Sequence, residues 1–581
     1  MTKHTGNAKI KLCIKNSQKN VKTKGSAVMF NQRRVNKIIT TMALTLSLIL
    51  SSFSQVFAAP YLPNDYNKQA ENIIKKHFPK PAGPILTPAF KEGKKDFTSH
   101  DEMMEFIYDL QKTSNHMKVS IIGQTQEGKP IPLLIFSNPS YSNAADILKL
   151  ERPVVWLQGQ IHGNEPAGGE GALGVAKNLA GKLGDEVLGK VSVVILPRFN
   201  GDGSFYFQRQ MASKLDSNRD HLKFDIQETI LVHEAFNEFK PEVVIDAHEY
   251  SVFGKFKNVG SKGGLVYHDI LISSAKNLNI PKDVRKVSDN LFVNNAQKDL
   301  ASRNFSNYDY YTFTEKGGKP TIFEAGTDPK IGRNAYGLQP SFSFLVESRG
   351  IGIGKENFER RVLSHIVSAQ NIIRSTANNA DLVKKTIDNA RKEITKLGKT
   401  VDPNDKLVLR DLHKKVANDK LDIIDIGTGE KVKLDVEVFS SKEAIPTLER
   451  VRPTAYILPP AYHEVAKRLS YSGVVVRKLN KDMELPVEAY KVKDKKIDTN
   501  YYEGHLRNDV TVDVNKKNAA FPKGSYVFTM DQPNANLIAM CLEPDAEDSF
   551  VKFNIIPAEI NNELPVYRYV ENKSIDAKII K

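Results

Sequence analysis

Histidine and glutamate stand three residues apart in Ile161-His162-Gly163-Asn164-Glu165, a spacing that lets both side chains project to one side of a turn. An imidazole and a carboxylate brought together suit Zn²⁺, although such a pair on its own more often simply faces water. A second histidine changes the reading. His248 follows Asp246 by two residues at the end of an apolar run, and three N and O donors from two segments are what a hydrolytic zinc with an open position requires.

Four apolar runs end in polar groups of this kind. VVWLQGQ leads into His162, VSVVILP into Arg198-Phe199-Asn200-Gly201-Asp202-Gly203, VVIDA into His248-Glu249, and SFSFLV into Glu347-Ser348-Arg349. Continuous apolar runs read as buried strands, and helical patterns at 169–183 and 226–239 lie between them. The fold class is therefore α/β, a mixed, largely parallel sheet flanked by helices. Open α/β sheets bind ligands outside the carboxyl ends of their strands, so the four endings imply one shared cleft. VSIIGQ and IPLLIF predict a hairpin turning near Gly128, residues 101–110 a helix, and residues 358–397 a long helix broken near Asn378.

The composition shifts at Thr400-Val401-Asp402-Pro403. Beyond it, residues 455–458, 474–476, 524–528 and 555–557 read as β-type runs and 462–469 as a helix, which predicts a smaller mixed α/β or β-rich domain. The Lys-rich run 491–496 reads as a solvated turn. The expected organisation is a leader over 1–58, a catalytic domain over 59–399 and an accessory domain over 400–581.

The formal net charge of +15 divides unevenly. Residues 1–58 hold ten Lys and Arg and no Asp or Glu, leaving 73 basic against 68 acidic side chains in the remainder. That balance gives no reason to propose nucleic acid as a partner. Within the leader, Gln32-Arg33-Arg34-Val35-Asn36-Lys37 precedes the apolar stretch IITTMALTLSLILSSF and the small-residue end Val56-Phe57-Ala58. This is the pattern of a signal peptide cut after Ala58, or after Ala59, with Met29 as an alternative start. An uncleaved anchor needs about 20 apolar residues, and the interspersed Thr and Ser favour removal. The expected product is secreted or cell-wall associated, without stable membrane insertion. Cys13 lies in the leader and Cys541 is alone after it, so no intrachain disulfide framework forms; the apolar context of Cys541 predicts a buried thiol.

The ordered motifs resemble the zinc metallocarboxypeptidases related to carboxypeptidase A. They are His162-Gly-Asn-Glu165-Pro, Asn200-Gly-Asp-Gly203 with Arg209, Asp216-Ser-Asn218-Arg219-Asp220, Asp246-Ala-His248-Glu249 and Glu347-Ser-Arg349, spread over residues 90–375. The resemblance implies that His162, Glu165 and His248 bind one Zn²⁺ ion. It implies that Glu347 is the general base, that Arg209 stabilises the oxyanion, and that Asn218 and Arg219 hold the substrate's terminal carboxylate. Asp216 matches a carboxylate that orients the first zinc histidine. The partners so implied are peptide or protein C-termini, including cell-wall peptides.

Two departures from the pattern stand out. His248 follows Glu165 by only 83 residues, so loops that shape the substrate pocket differ. The family's mobile active-site tyrosine is assigned to Tyr336, with Tyr310 and Tyr311 as alternatives; Arg333 in the same loop either meets an acidic substrate group or pins the loop. The same metal and base also suit a peptidoglycan stem-peptide carboxypeptidase or an N-acyl amino acid deacylase. A catalytically inactive exported binding protein is the competitor from another class. His221, His233, His268 and His365 have no partner at ligand spacing.

Overall fold

The computed structural model describes residues 66–580; the leader expected over 1–58 lies outside them. The predicted hairpin is β1 (Met117–Gln124) and β2 (Pro130–Phe136), with Gly128 at φ +84° in the turn, a conformation that favours glycine. It forms one edge of an eight-stranded sheet with β3 (Val154–Gly159), β4 (Ser192–Leu196), β5 (Val243–Ser251), β7 (Ile270–Ser274), β8 (Asn307–Asp309) and β11 (Phe342–Ile351). Strand order is β1-β2-β4-β3-β5-β11-β7-β8. The central four, β4-β3-β5-β11, are mutually parallel, and so are β7 and β8. The remaining pairings are antiparallel, so the sheet is mixed and largely parallel, as the apolar runs predict.

Both faces of this sheet are buried, which is why its strands read as unbroken apolar runs. On β3, Val155 and Leu157 join one core cluster, while Val154 and Trp156 join another on the opposite face. Helices cover the faces: α1 (His100–Thr113), α2 (Pro166–Leu179), α3 (Gln227–Phe239), α4 (Gly332–Leu338), α5 (Phe358–Asn378) and α6 (Ala380–Leu397). A capping box between Ser99 and Glu102 starts α1. The predicted long helix breaks at Asn379, whose backbone is not helical. The glycines of α2 serve close approach, since a Cβ on Gly168 would stand 2.6 Å from the Ala247 carbonyl oxygen on β5.

The region after residue 400 is β-rich but not set apart. Strands β6 (Gly264–Val266), β9 (Tyr311–Lys316) and β10 (Lys319–Glu324) pair with β12 (Lys406–Lys415), β13 (Asp419–Asp425) and β14 (Lys431–Val451) in a shared sheet ordered β6-β13-β14-β10-β9, with β12 on β14. Residues 59–581 accordingly form one compact unit, and the expected boundary at 399/400 is crossed by strand pairing. The signal was invisible locally because β10 and β14 are joined only by tertiary pairing. A third sheet follows: β15 (Ala455–Leu458), β16 (Arg477–Leu479), β17 (Met483–Ile497), β18 (Asn508–Phe521), β19 (Tyr526–Thr529), β20 (Glu563–Tyr569) and β21 (Ala577–Ile579).

Three smaller expectations are corrected here. Residues 474–476 precede the strand, which begins at Arg477, and 555–557 are not a strand. The Lys-rich run 491–496 is inside β17, where Lys491 and Lys496 pair with Asp513 and Asp509 of β18. Apart from the buried Val492, the side chains of this run are mostly exposed, so a paired strand carries charges there as a turn would. Helices α7 (His463–Tyr471) and α8 (Ala535–Leu542) complete the region; every residue of α8 is buried, Cys541 included. Among the described residues no helix is long and apolar enough to cross a membrane.

Candidate active site

Beyond Gly159 the chain leaves β3 through Gln160, at φ +54°, and turns into the His162 loop. That loop lies directly on the 200–203 turn: a Cβ on Gly163 would come within 1.9 Å of the Gly203 carbonyl carbon. Asn200 fixes the same turn, accepting from the Gly203 amide (2.7 Å) and donating to the Gln210 carbonyl (3.1 Å). Glu165 precedes Pro166 at the start of α2, and its Oε2 accepts from the Glu249 amide of β5 at 3.0 Å. Two neighbouring strand ends are thereby tied to one carboxylate.

His162, Glu165 and His248 converge, all buried, with their donor atoms within 4.8 Å of one another. His162 Nδ1 is 2.7 Å from Glu165 Oε1, His248 Nδ1 is 3.0 Å from Glu165 Oε2, and the two Nδ1 atoms are 3.2 Å apart. Two imidazole nitrogens and a carboxylate aimed at one point are a zinc donor set. The far nitrogens are held as well. His162 Nε2 lies 3.1 Å from Asp216 Oδ1, and His248 Nε2 lies 3.0 Å from Asp246 Oδ2, so carboxylates turn both rings with Nδ1 inward. Burial alone would raise the carboxyl of Glu165, but the facing charges of His162 and His248 hold it well below the usual range.

Asp246 is positioned in turn by Gln158, which donates to its Oδ1 at 3.0 Å. Gln158 Oε1 accepts from Trp156 Nε1 (3.0 Å) and from the Tyr336 hydroxyl (3.2 Å). This corrects the assignment of Tyr336 as the mobile tyrosine. Its ring is fully buried, stacked on His233 and packed against His221 and Phe236, and is not among the residues that line the cleft. Tyr310, between β8 and β9, does line the cleft, as do Tyr250 and Tyr502. His221 and His233, joined at 2.8 Å, belong to this core; burial lowers His221 to about 4, so it stays neutral.

Glu347 pairs in register with His248 across parallel β11 and β5, which puts the two side chains on one face of the sheet. Burial raises its carboxyl above the usual range, with Glu165 adding to the effect against the pull of His248. Tyr310 faces it: the charge of Glu347, and then burial, push the phenol up, so it remains a proton donor. Arg209, partly exposed, is clamped by Asp216 Oδ2 through Nε (3.0 Å) and Nη2 (2.8 Å), and its Nη1 stands 3.5 Å from Glu165 Oε1. Asn218 Oδ1 accepts from the Gly332 amide of α4 at 2.8 Å, and its NH₂ lies 3.4 Å from His248 Nε2. Arg219 donates from Nη1 to the Asn218 carbonyl at 2.9 Å. Asp216, Asn218 and Arg219 all belong to one short turn, with the Asp216 side chain accepting from the Asn218 amide at 2.8 Å.

These groups line a cleft of about 640 Å³ together with residues that no local motif marks. Lys255, Glu324, Asp328, Lys330, Arg333, His413 and Tyr502 share it, and the last two come from the β-rich region. Tyr502 sits at the tip of the β17–β18 hairpin, beside Glu503, whose carboxylate accepts from the Asp216 amide at 2.7 Å. The hairpin tip is further held by His505 on Asp225 at 2.7 Å, and Arg468 of α7 meets the same carboxylate at 2.7 Å.

The profile of the family described as zinc carboxypeptidase matches residues 103–252. Carboxypeptidase 2 of Trichophyton rubrum is 35% identical over 495 residues, which cover 83% of this chain and 88% of that protein. The probable carboxypeptidase 2 of Arthroderma benhamiae is 34% identical over 466 residues, 79% of this chain and 86% of that one. A match covering 83% of the chain cannot be contained in residues 1–399, so the likeness extends into the β-rich region. A solved metallo-carboxypeptidase from Burkholderia cenocepacia is 17% identical, with a TM-score of 0.37, over 48% of this chain and 69% of that one.

Proposed function

The chain belongs to the zinc carboxypeptidase family, a hydrolase family acting on peptide C-termini, and from that premise we propose that it is a secreted exopeptidase with Glu347 as its general base. The observation that carries this reading is the register of β5 and β11, which sets Glu347 beside His248 at the edge of the convergent ligand set. Held by His162, Glu165 and His248, zinc supplies a Lewis acid that acidifies water and polarises a carbonyl.

The chain's own groups do the rest. Glu347, its affinity for protons raised by burial, takes a proton from the attacking water and delivers it to the leaving nitrogen. Arg209, held beside the ligand set by Asp216, stabilises the developing oxyanion. The Asn218 NH₂ and the Arg219 guanidinium receive the terminal carboxylate, which restricts cleavage to the last peptide bond. Tyr310, protonated throughout, donates to the bound peptide from the opposite wall. The leader over 1–58 directs export.

A peptide and its C-terminal amide, digested in parallel and read by mass spectrometry, test the reading. The free acid is expected to lose its last residue and the amide to resist; internal cleavage of either would remove Asn218 and Arg219 as the clamp. Muropeptides and N-acyl amino acids in the same panel separate the two hydrolase alternatives.

A further inference from the structure

Most charges in the cleft are already matched. Arg209 pairs with Asp216, Lys330 lies 2.9 Å from Asp548 and 3.4 Å from Asp328, and Glu324 accepts from Ser440 Oγ (2.5 Å) and the Ser441 amide (3.0 Å). Glu249 is held by Arg361, and Lys255 lies over the rings of Tyr250 and Tyr311 at 5.2 and 5.6 Å. Arg219 is committed to the terminal carboxylate. Arg333 is different: it is 3% exposed, its Nε has no partner, and its one hydrogen bond among the described residues runs from Nη2 to the Gly326 carbonyl at 2.7 Å.

Glu347, Asp328 and Asp246 lie near enough to act on this guanidinium, but none is hydrogen-bonded to it, so it has given up its water without a directly paired carboxylate and an incoming anion would recover the loss. Its place indicates which anion. The residue before it, Gly332, donates its amide to Asn218 Oδ1, so Arg333 begins α4 directly against the clamp. Arg333, Arg219, Tyr310 and Glu347 all line the same cleft.

We propose that Arg333 receives the side-chain carboxylate of the residue being released, so that this enzyme removes C-terminal Glu or Asp in preference to neutral residues. The inference rests on the carboxypeptidase reading. A guanidinium fork matches a carboxylate in two parallel hydrogen bonds, whereas the amide of Gln or Asn fills the same space and leaves the charge unpaired.

The test is a peptide series differing only in the last residue, Glu, Gln, Asp, Asn, Leu or Lys, with kcat/KM measured for each. Wild type is expected to favour Glu over Gln, or Asp over Asn, on the order of 50-fold, the range of a charge-assisted hydrogen bond. Arg333→Met is expected to erase that ratio and Arg333→Lys to restore part of it. Neutral residues released as fast as acidic ones by wild type would overturn the inference while leaving the carboxypeptidase reading intact. So would an Arg333→Met enzyme whose rates fall by the same factor on all six peptides. No C-terminal release from any peptide would overturn the reading and the inference with it. The wild-type series decides the matter even where the variants do not fold.

Discussion

His248 and Glu347 sit at paired positions on adjacent central strands, whereas Tyr310, Lys330, Arg333 and Tyr502 reach the same cleft from a strand junction, a loop, a short helix and a distant hairpin tip. The first set is placed by backbone register and a buried polar relay running from Trp156 and Tyr336 through Gln158 and Asp246. The second is placed by ion pairs and caps between segments far apart in sequence, such as Lys330 with Asp548 and Glu503 with the Asp216 amide. The proposed chemistry is thus anchored to buried central strands, and the proposed recognition groups to connections between elements.

The largest expected effect falls on the strand-borne half. His248→Ala should lose stoichiometric zinc, read by elemental analysis, and with it all turnover; full metal occupancy would refute the ligand assignment. Glu347→Gln should bind zinc normally and lose about 10³-fold in kcat, within the range of a lost general base. Retained activity would remove Glu347 from that role. Gln158→Ala removes the group that orients Asp246, and should weaken zinc about tenfold in a chelator competition. An unchanged affinity would mean that the relay is only packing.

The rim should respond more gently. Glu503→Ala leaves the Asp216 amide without its partner, a cost of about 1 to 3 kcal/mol. We expect KM to rise several-fold with zinc content unchanged, and a variant that loses zinc instead would dissolve the distinction between the two halves. The smallest effect concerns Asp225. Burial would raise its carboxyl, but His505, Lys223 and Arg468 hold it well below the usual range. Its contribution to stability is therefore present above the ordinary carboxylate pKa, near 4, and is lost as pH falls through the depressed value. Asp225→Asn should lower Tm at neutral pH by a few degrees, a gap that narrows in acid; a gap that widens in acid would reverse the assigned sign.

The two halves also differ in how far they could be read from residues alone. His162, Glu165, His248 and Glu347 each end an apolar run, because a parallel sheet buried on both faces announces its strands and their termini. Asp216, Asn218 and Arg219 were singled out only through the family resemblance, and one short turn carries all three. Tyr336 was misread: a tyrosine in a loop-like stretch gives no sign that its ring belongs to the core under Phe236 and His233. Tyr502 carries no local signature either, since only the docking of the β17–β18 hairpin brings it to the cleft. The strand pairing across 399/400 was hidden for the same reason. A change in composition marks a change in surface, and a sheet can run straight across it.

The hairpin tip has one more consequence. Tyr502 belongs to the wall of a cleft whose other lining residues, Glu347 included, all lie at or before residue 413. A nascent polypeptide emerging from its N-terminus therefore carries every proposed zinc, base and clamp residue well before the hairpin that completes that wall. The order in which the chain is made leaves the enclosure of the cleft for last.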